Sequence, residues 1–196
     1  MIRRIELYGG PGIGKTHITR DITSALSKAG IKTDLVQEKA KEFAYRKQTP
    51  ERWDQLELFN SQLQREFNLL RYGVEIVVTD SPLFMNACYG YRYKFCAANH
   101  IYDMSRLFDE QYSPYRILLT RNDEWFKEHG RFQNLEEAKE LDEFIAIMLK
   151  NNQKEHVVWE WGNINDEIDK LVKKIKGSND TLIVNKRIAD CEEIKK

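Results

Sequence analysis

The chain is poor in the features that mark secreted, membrane and disordered proteins. Its 196 residues include only three cysteines and four prolines. Cys88, Cys96 and Cys191 form no C-x-x-C pair and are odd in number, which argues against a disulfide framework and suits free thiols in a reducing cytoplasm. No apolar run approaches the roughly 20 residues of a membrane-spanning helix, so no membrane partner is expected. The amino end runs straight into an apolar segment, and no signal peptide is expected. Net charge is also lacking: 31 Lys and Arg balance 31 Asp and Glu. That balance argues against non-specific polyanion binding and leaves room for a local basic patch. The histidines, His17, His100, His129 and His156, show no ligand spacing, so a protein-held zinc site is not expected. With no internal repeat and no Pro/Gly/Ser linker, the length fits one domain with a sizeable core.

What is present stands out against that background. Gly9-Gly10-Pro11-Gly12-Ile13-Gly14-Lys15-Thr16 is a complete phosphate-binding P-loop pattern. Its setting fits as well, because Ile2 to Tyr8 suits a strand and Thr16 to Ala29 a helix. A turn of this kind needs glycine so that the backbone can curl and aim several N–H groups inward. Those groups, with the helix N-terminus, attract phosphate oxygens. Gly10, Gly12, Ile13, Gly14, Lys15, Thr16 and His17 are the expected nucleotide contacts. Lys15 would reach the outer phosphates, and Thr16 would offer its hydroxyl to Mg²⁺. Residues 1–48 carry ten Lys or Arg against five Asp or Glu. A site for a highly anionic ligand would want that bias, though a solvated surface explains it almost as well.

Hydrophobic periodicity predicts five strands alternating with helices. The strands are Ile2 to Tyr8, Ile31 to Val36, Val74 to Thr79, Tyr115 to Thr120 and His156 to Glu160. The first helix shows Ile18, Ile22, Ala25 and Ala29 on one face. Glu38 to Lys47 looks helical. Trp53 to Arg71 predicts a long helix with Trp53, Leu56, Leu63, Phe67 and Leu70 inward. Pro82 to Asn99 reads as irregular or weakly helical, and Ile101 to Tyr112 as a helix. Asn134 with Glu137 is a capping-box pair opening a helix to about Lys150. A last helix turns Ile164, Ile168, Leu171 and Ile175 inward. Thr181 to Val184 is compatible with a short sixth strand. The expected fold class is α/β: a P-loop NTPase with a five-stranded parallel sheet and helices on both faces, nucleoside/nucleotide-kinase-like. Residues 1–176 would form the domain, with a lid at about 121–133, and 177–196 a mobile extension.

Ligands on such sheets bind beyond the carboxyl ends of the strands, so residues just past each strand are candidates by position. Asp80 follows the third strand, where P-loop proteins keep the acid of the Mg²⁺ shell, and beside the P-loop that role is favoured over the start of an Asp-Ser-Pro turn. Glu38 follows the second strand and would deprotonate or bind an attacking hydroxyl, or simply favour a helix N-terminus. Arg121 follows the fourth strand, and Arg131 sits ten residues on; arginines there can fold over a triphosphate and neutralise transition-state charge. Gln55 and Gln62, seven residues apart on one helix face, suit the edge of a base or amide, or a solvated surface. Tyr89 to Phe95 interleaves aromatics with Arg92 and Lys94. Tyr91 and Arg92 would stack on bases and touch phosphates, or the tyrosines would pack inward. Asn185-Lys186-Arg187-Ile188 lacks the Asp of a guanine-reading Asn-Lys-x-Asp, so guanine specificity has no support.

These residues together resemble the small P-loop kinases related to the ribosylnicotinamide-kinase domain, many of them phage-encoded and often labelled AAA-type ATPases. The resemblance covers about residues 1–175. It rests on Gly9 to Thr16, Glu38 with Lys41, Asp54-Gln55-Leu56 with Gln62, Thr79-Asp80-Ser81-Pro82, and Gly130-Arg131-Phe132-Gln133. Lys41 stands where relatives often carry Arg. The resemblance implies ATP- and Mg²⁺-dependent phosphoryl transfer to a hydroxyl of a nucleoside-like acceptor, with catalytic roles for Lys15, Glu38, Asp80, Arg131 and Arg121. Glu38, Lys41, Gln55, Gln62, Tyr91 and Arg92 would meet the acceptor. Candidate acceptors are a free nucleoside, ribosylnicotinamide, a nucleotide, or 5-hydroxymethyluracil in phage DNA. The alternative is a motor or regulatory NTPase, which would need more chain than the ~35 residues after the fifth strand. Oligomeric state is open between monomer and dimer.

Overall fold

A computed structural model of the chain describes residues 1–37, 53–123 and 134–193, with 179–193 described as backbone alone. The elements are β1 Arg4–Tyr8, α1 Lys15–Lys28, β2 Thr33–Val36, α2 Asp54–Arg71, β3 Ile76–Thr79, α3 Leu83–Arg92, α4 Ala98–Gln111, β4 Pro114–Leu119, α5 Leu135–Asn151, β5 Val157–Trp159 and α6 Ile164–Glu193. A 3₁₀ turn, Trp161–Asn163, leads into α6.

The five strands form one parallel sheet in the order β2-β3-β1-β4-β5. The chain leaves central β1 toward one edge and later crosses to the other. The loop after β1 therefore opens between the ends of β3 and β4, the crevice where such sheets bind ligands. Side-chain alternation along β1 divides the core. Ile5 and Leu7 face one side, with Ile76, Val78, Ile117 and Leu119, under Ile18, Ile22 and Leu26 of α1 and all four predicted residues of α6. Tyr8 and Val77 face the other side, under Phe59, Phe84, Ile101, Phe108 and Ile145 from α2 to α5.

The second face also carries charge. Arg4 has no exposed surface, yet it donates Nε to Glu66 Oε2 at 2.9 Å and Nη1 to Asp109 Oδ1 at 2.9 Å, and it contacts Glu6. Arg116 Nη2 and Lys154 Nζ reach Asp109 Oδ2 at 2.5 and 2.7 Å. Tyr8 Oη donates to Glu6 Oε2 at 2.8 Å. Three cations thus meet three carboxylates, which is how buried charge is tolerated. Burial pushes the Asp109 carboxyl up, but Arg4, Arg116 and Lys154 outweigh it and hold it below its ordinary value. Burial raises the Glu66 carboxyl, with Arg4 opposing.

This cluster explains the largest departure from the periodicity. α2 buries Leu58, Phe59, Gln62, Glu66 and Leu70, while Trp53 is 69% exposed and Phe67 lies near the surface. The helix is rotated because Glu66 must face Arg4. Two further expectations are corrected. Residues 83–92 form a regular helix, α3, started by Pro82, whose fixed φ and missing N–H suit a helix entrance. Residues 181–184 are not a strand: α6 continues through them to Glu193, since Gly177 alone does not stop a helix and no proline follows. The capping box of Asn134 and Glu137 is present in both directions, each bond 2.9 Å. The predicted helix at 38–47 lies outside the described residues.

Asp109 gives a pH test of the cluster. A carboxyl lowered by folding contributes stability that is complete above its unfolded value, about pH 4, and is lost as pH falls through its folded value. Asp109→Asn is expected to cost about 3–5 kcal/mol at neutral pH, as when a buried pair loses one partner. It should also flatten the loss of stability below about pH 4. Urea unfolding from pH 7 to pH 2 measures both, and an acid limb as steep as the parent's would refute the pairing.

Candidate active site

The loop from Gly9 to Gly14 ends where α1 begins. Gly14 is the N-cap at φ 93° and ψ 9°, and it supplies no side-chain cap; the first turn contains no acid. A helix end with these properties is suited to an anion. A side chain at Gly14 is disfavoured for two reasons. Its φ is left-handed, and a Cβ would stand 2.3 and 2.5 Å from ring carbons of Trp161. Gly10 is confined differently: a Cβ there would lie 2.8 Å from both Ala138 O and Asp142 Oδ1. Lys15 bends back over the loop and donates Nζ to Gly9 O at 2.6 Å and Gly10 O at 2.8 Å.

Asp80 stands one residue past β3, only 1% exposed, and its Oδ2 accepts from Thr16 Oγ1 at 2.5 Å. A hydroxyl and a carboxylate side by side are hard oxygen donors, the set that Mg²⁺ takes while keeping water and substrate phosphate as its other ligands. Among the described residues no group of three or more His, Cys, Asp or Glu could hold a metal by protein ligands alone. The donor pair fits Mg²⁺ arriving with a nucleotide.

Arg121 is also at the loop. Its Nε donates to Asp142 Oδ2 at 2.5 Å, and its Nη2 donates to Pro11 O at 2.9 Å. Asp142, on α5, accepts the Gly10 N–H at 2.5 Å through its other oxygen. One carboxylate thus fastens α5 to both the loop backbone and Arg121.

The structure does not gather every predicted residue. His17 turns outward toward Asp21, 3.7 Å away, and its backbone N–H serves Gly14 O. Gln62 lies inside the protein at 3% exposure and spends its amide hydrogens on Glu66 Oε1 and Thr79 Oγ1, at 2.6 and 2.9 Å. Gln55 is half-buried two turns earlier on α2. Tyr91 Oη donates to Asn99 Oδ1 at 2.7 Å, and Arg92 pairs with Glu140 at 2.6 Å. Much of the aromatic–basic run is thus helix surface packed on its neighbours. Glu38, Lys41 and Arg131 lie outside the described residues. Two residues were not singled out by the sequence reading: Trp161 follows β5 and was open to the strand-end rule, while Asp142 had no such signal. Thr79 was named only within the Thr79-to-Pro82 run, with no role of its own.

A family model described as an AAA domain matches residues 4–166. The chain belongs to this AAA-domain family. The matched span runs from β1 through the start of α6, so it contains the loop, Asp80, Arg121 and Asp142. Among solved structures, this AAA-domain chain is similar to one titled "Crystal structure of NadR protein in complex with NR", at TM-score 0.63 and 14% identity. The match covers 80% of this chain and 45% of that one, so the chain spans less than half the length of the NadR chain it matches. At that identity the likeness concerns the α/β P-loop fold. No curated protein matches the chain. No helix among the described residues is long and apolar enough to cross a membrane.

Gly14→Ala tests the loop geometry. It is expected to lower Tm by several degrees through strain and contact with Trp161, and to abolish nucleotide binding. Adding Trp161→Ala should restore part of the Tm without restoring binding, because the φ constraint remains. Differential scanning calorimetry with nucleotide titration measures both, and nucleotide binding by the single variant would contradict the reading.

Proposed function

We propose that this chain is an ATP- and Mg²⁺-dependent kinase that transfers the γ-phosphoryl group to a hydroxyl of a nucleoside-like acceptor. The observation that carries the reading is the contact of Thr16 with Asp80 at the mouth of a complete P-loop. Two elements distant in sequence there deliver the hydroxyl and carboxylate that a Mg²⁺–triphosphate requires.

In this reading the loop N–H groups and the α1 N-terminus hold the phosphates. Lys15 exchanges the Gly9 and Gly10 carbonyls for phosphate oxygens. Thr16 and Asp80 would hold Mg²⁺, which when bound would draw negative charge from the phosphates. Arg121 supports the loop through Pro11 and neutralises charge near the transferring group. Arg131 closes the site and excludes water, the condition that favours transfer over hydrolysis. Glu38 orients or deprotonates the acceptor hydroxyl; it follows β2, whose carboxyl end lies on the same side of the parallel sheet as those of β1 and β3. Lys41 and Gln55 serve the acceptor side. Gln62, given its interior bonds, acts elsewhere.

The acceptor is tested by transfer of label from γ-labelled ATP to NR, deoxynucleosides, nucleotides and 5-hydroxymethyluracil-containing DNA. NR heads the series because the similar NadR structure is titled as its complex. Transfer to one class with slow background hydrolysis is expected. Brisk hydrolysis unaffected by any acceptor would favour an NTPase of motor or regulatory type. Lys15→Ala should reduce turnover at least about 100-fold, the order lost when one electrostatic stabiliser is removed. Retained turnover would overturn the assignment.

A further inference from the structure

Asp80 is useful only if its carboxylate stays beside Thr16, and the sheet alone does not secure it. The β3 ladder ends at Thr79, which is in register with Glu6 of β1 and Val36 of β2. Asp80 is the first residue beyond. The Thr79 hydroxyl spans it: Oγ1 accepts the Ser81 N–H at 3.2 Å on one side and Gln62 Nε2 at 2.9 Å on the other. Gln62 is fixed in turn. Its second amide hydrogen goes to Glu66 Oε1 at 2.6 Å, and Glu66 Oε2 accepts from Arg4 Nε at 2.9 Å. A carboxylate that already receives Arg4 is an acceptor, so the amide must present its NH₂ group here.

Arg4 belongs to β1, five residues before the loop that leads into α1 and Thr16. The bonds therefore close a circuit. One arm runs along β1 to the loop and Thr16. The other runs Arg4, Glu66, Gln62, Thr79 and then Asp80. The two arms meet at the contact of Thr16 with Asp80. Every member of the second arm is buried. In a water-free interior such bonds are directional and expensive to lose.

We propose that Gln62 is a positioning residue for the metal site: through Thr79 it sets the place of the Asp80 carboxylate and hence the affinity for Mg²⁺-nucleotide. The inference rests on the assignment of Thr16 and Asp80 to Mg²⁺, and does not depend on the acceptor. It also changes the role of Gln62 from a substrate contact to a residue acting through another. Groups that orient metal ligands from behind typically change metal affinity by about 10- to 100-fold when removed.

The test measures binding, not turnover. Titration calorimetry gives the ATP dissociation constant with Mg²⁺ and with EDTA for the parent, Gln62→Met, Thr79→Val, the double variant and Thr79→Ser. Both single variants are expected to weaken Mg²⁺-dependent binding roughly 10-fold, with EDTA values unchanged. The double variant should lose less than the sum of the two singles, since both remove the Gln62–Thr79 bond while each also removes one bond of its own. Thr79→Ser keeps the hydroxyl and should match the parent. If Gln62→Met fails to fold because Glu66 loses its donor, Thr79→Val against Thr79→Ser decides alone. Equal losses with and without Mg²⁺, or a parent-like Mg²⁺ increment in folded Thr79→Val, would overturn the proposal. A parent whose ATP affinity ignores Mg²⁺ would instead remove the metal assignment, and the inference with it.

Discussion

A guanidinium without solvent is the constraint around which this fold is arranged. Arg4 lies in the central strand, so its charge cannot be moved to the surface without dismantling the sheet. It must be met by carboxylates from whichever elements cover that face. Glu66 meets it from α2 and Asp109 from α4, while Glu6 meets it from β1 itself. Arg116 and Lys154 then balance the excess of negative charge at Asp109. Apolar burial can hold two helices against a sheet in many rotations and registers. Directional ion pairs select one, at the cost of desolvating six charges. The rotation of α2 follows from this selection, and the placement of Gln62 follows from the rotation.

Much of the architecture was legible in the sequence because local signals agreed with the global arrangement. The glycine pattern after β1 could be read from spacing, since few backbone paths need those residues. Asp80 was visible as a lone acid ending an apolar run. The inward face of α6 was visible because Ile164, Ile168, Leu171 and Ile175 repeat at helical spacing with nothing polar competing. α2 failed for the opposite reason. Periodicity counts apolar residues, so it put Trp53 and Phe67 inside, offered Gln62 as a substrate contact or solvated surface, and gave Glu66 no role. The signal that could have corrected it was in β1, where Arg4 and Glu6 alternate with Ile5 and Leu7 in a strand that had to be central. A covered strand with charge on one face calls for opposite charge on the helix above.

The site was legible to a lesser degree. Residues that follow strands can be nominated by position, and Thr16, Asp80 and Arg121 do lie around one loop. Residues that support them cannot. Asp142 is in mid-helix, indistinguishable by sequence from the other acids of α5, and only the fold brings it to Gly10 and Arg121. Thr79 reads as one more β-branched strand residue. His17 shows another limit: adjacency to the motif suggested contact, and helical geometry sends its side chain away from the loop toward Asp21.

The indole of Trp161 lies against the loop at Gly14, close enough that a single methyl group between them would not fit. A change in loop curvature at Gly14 is therefore felt by that ring. Trp161 is one of four tryptophans, so its share of the emission, isolated by comparison with Trp161→Phe, is the part that reports on the loop.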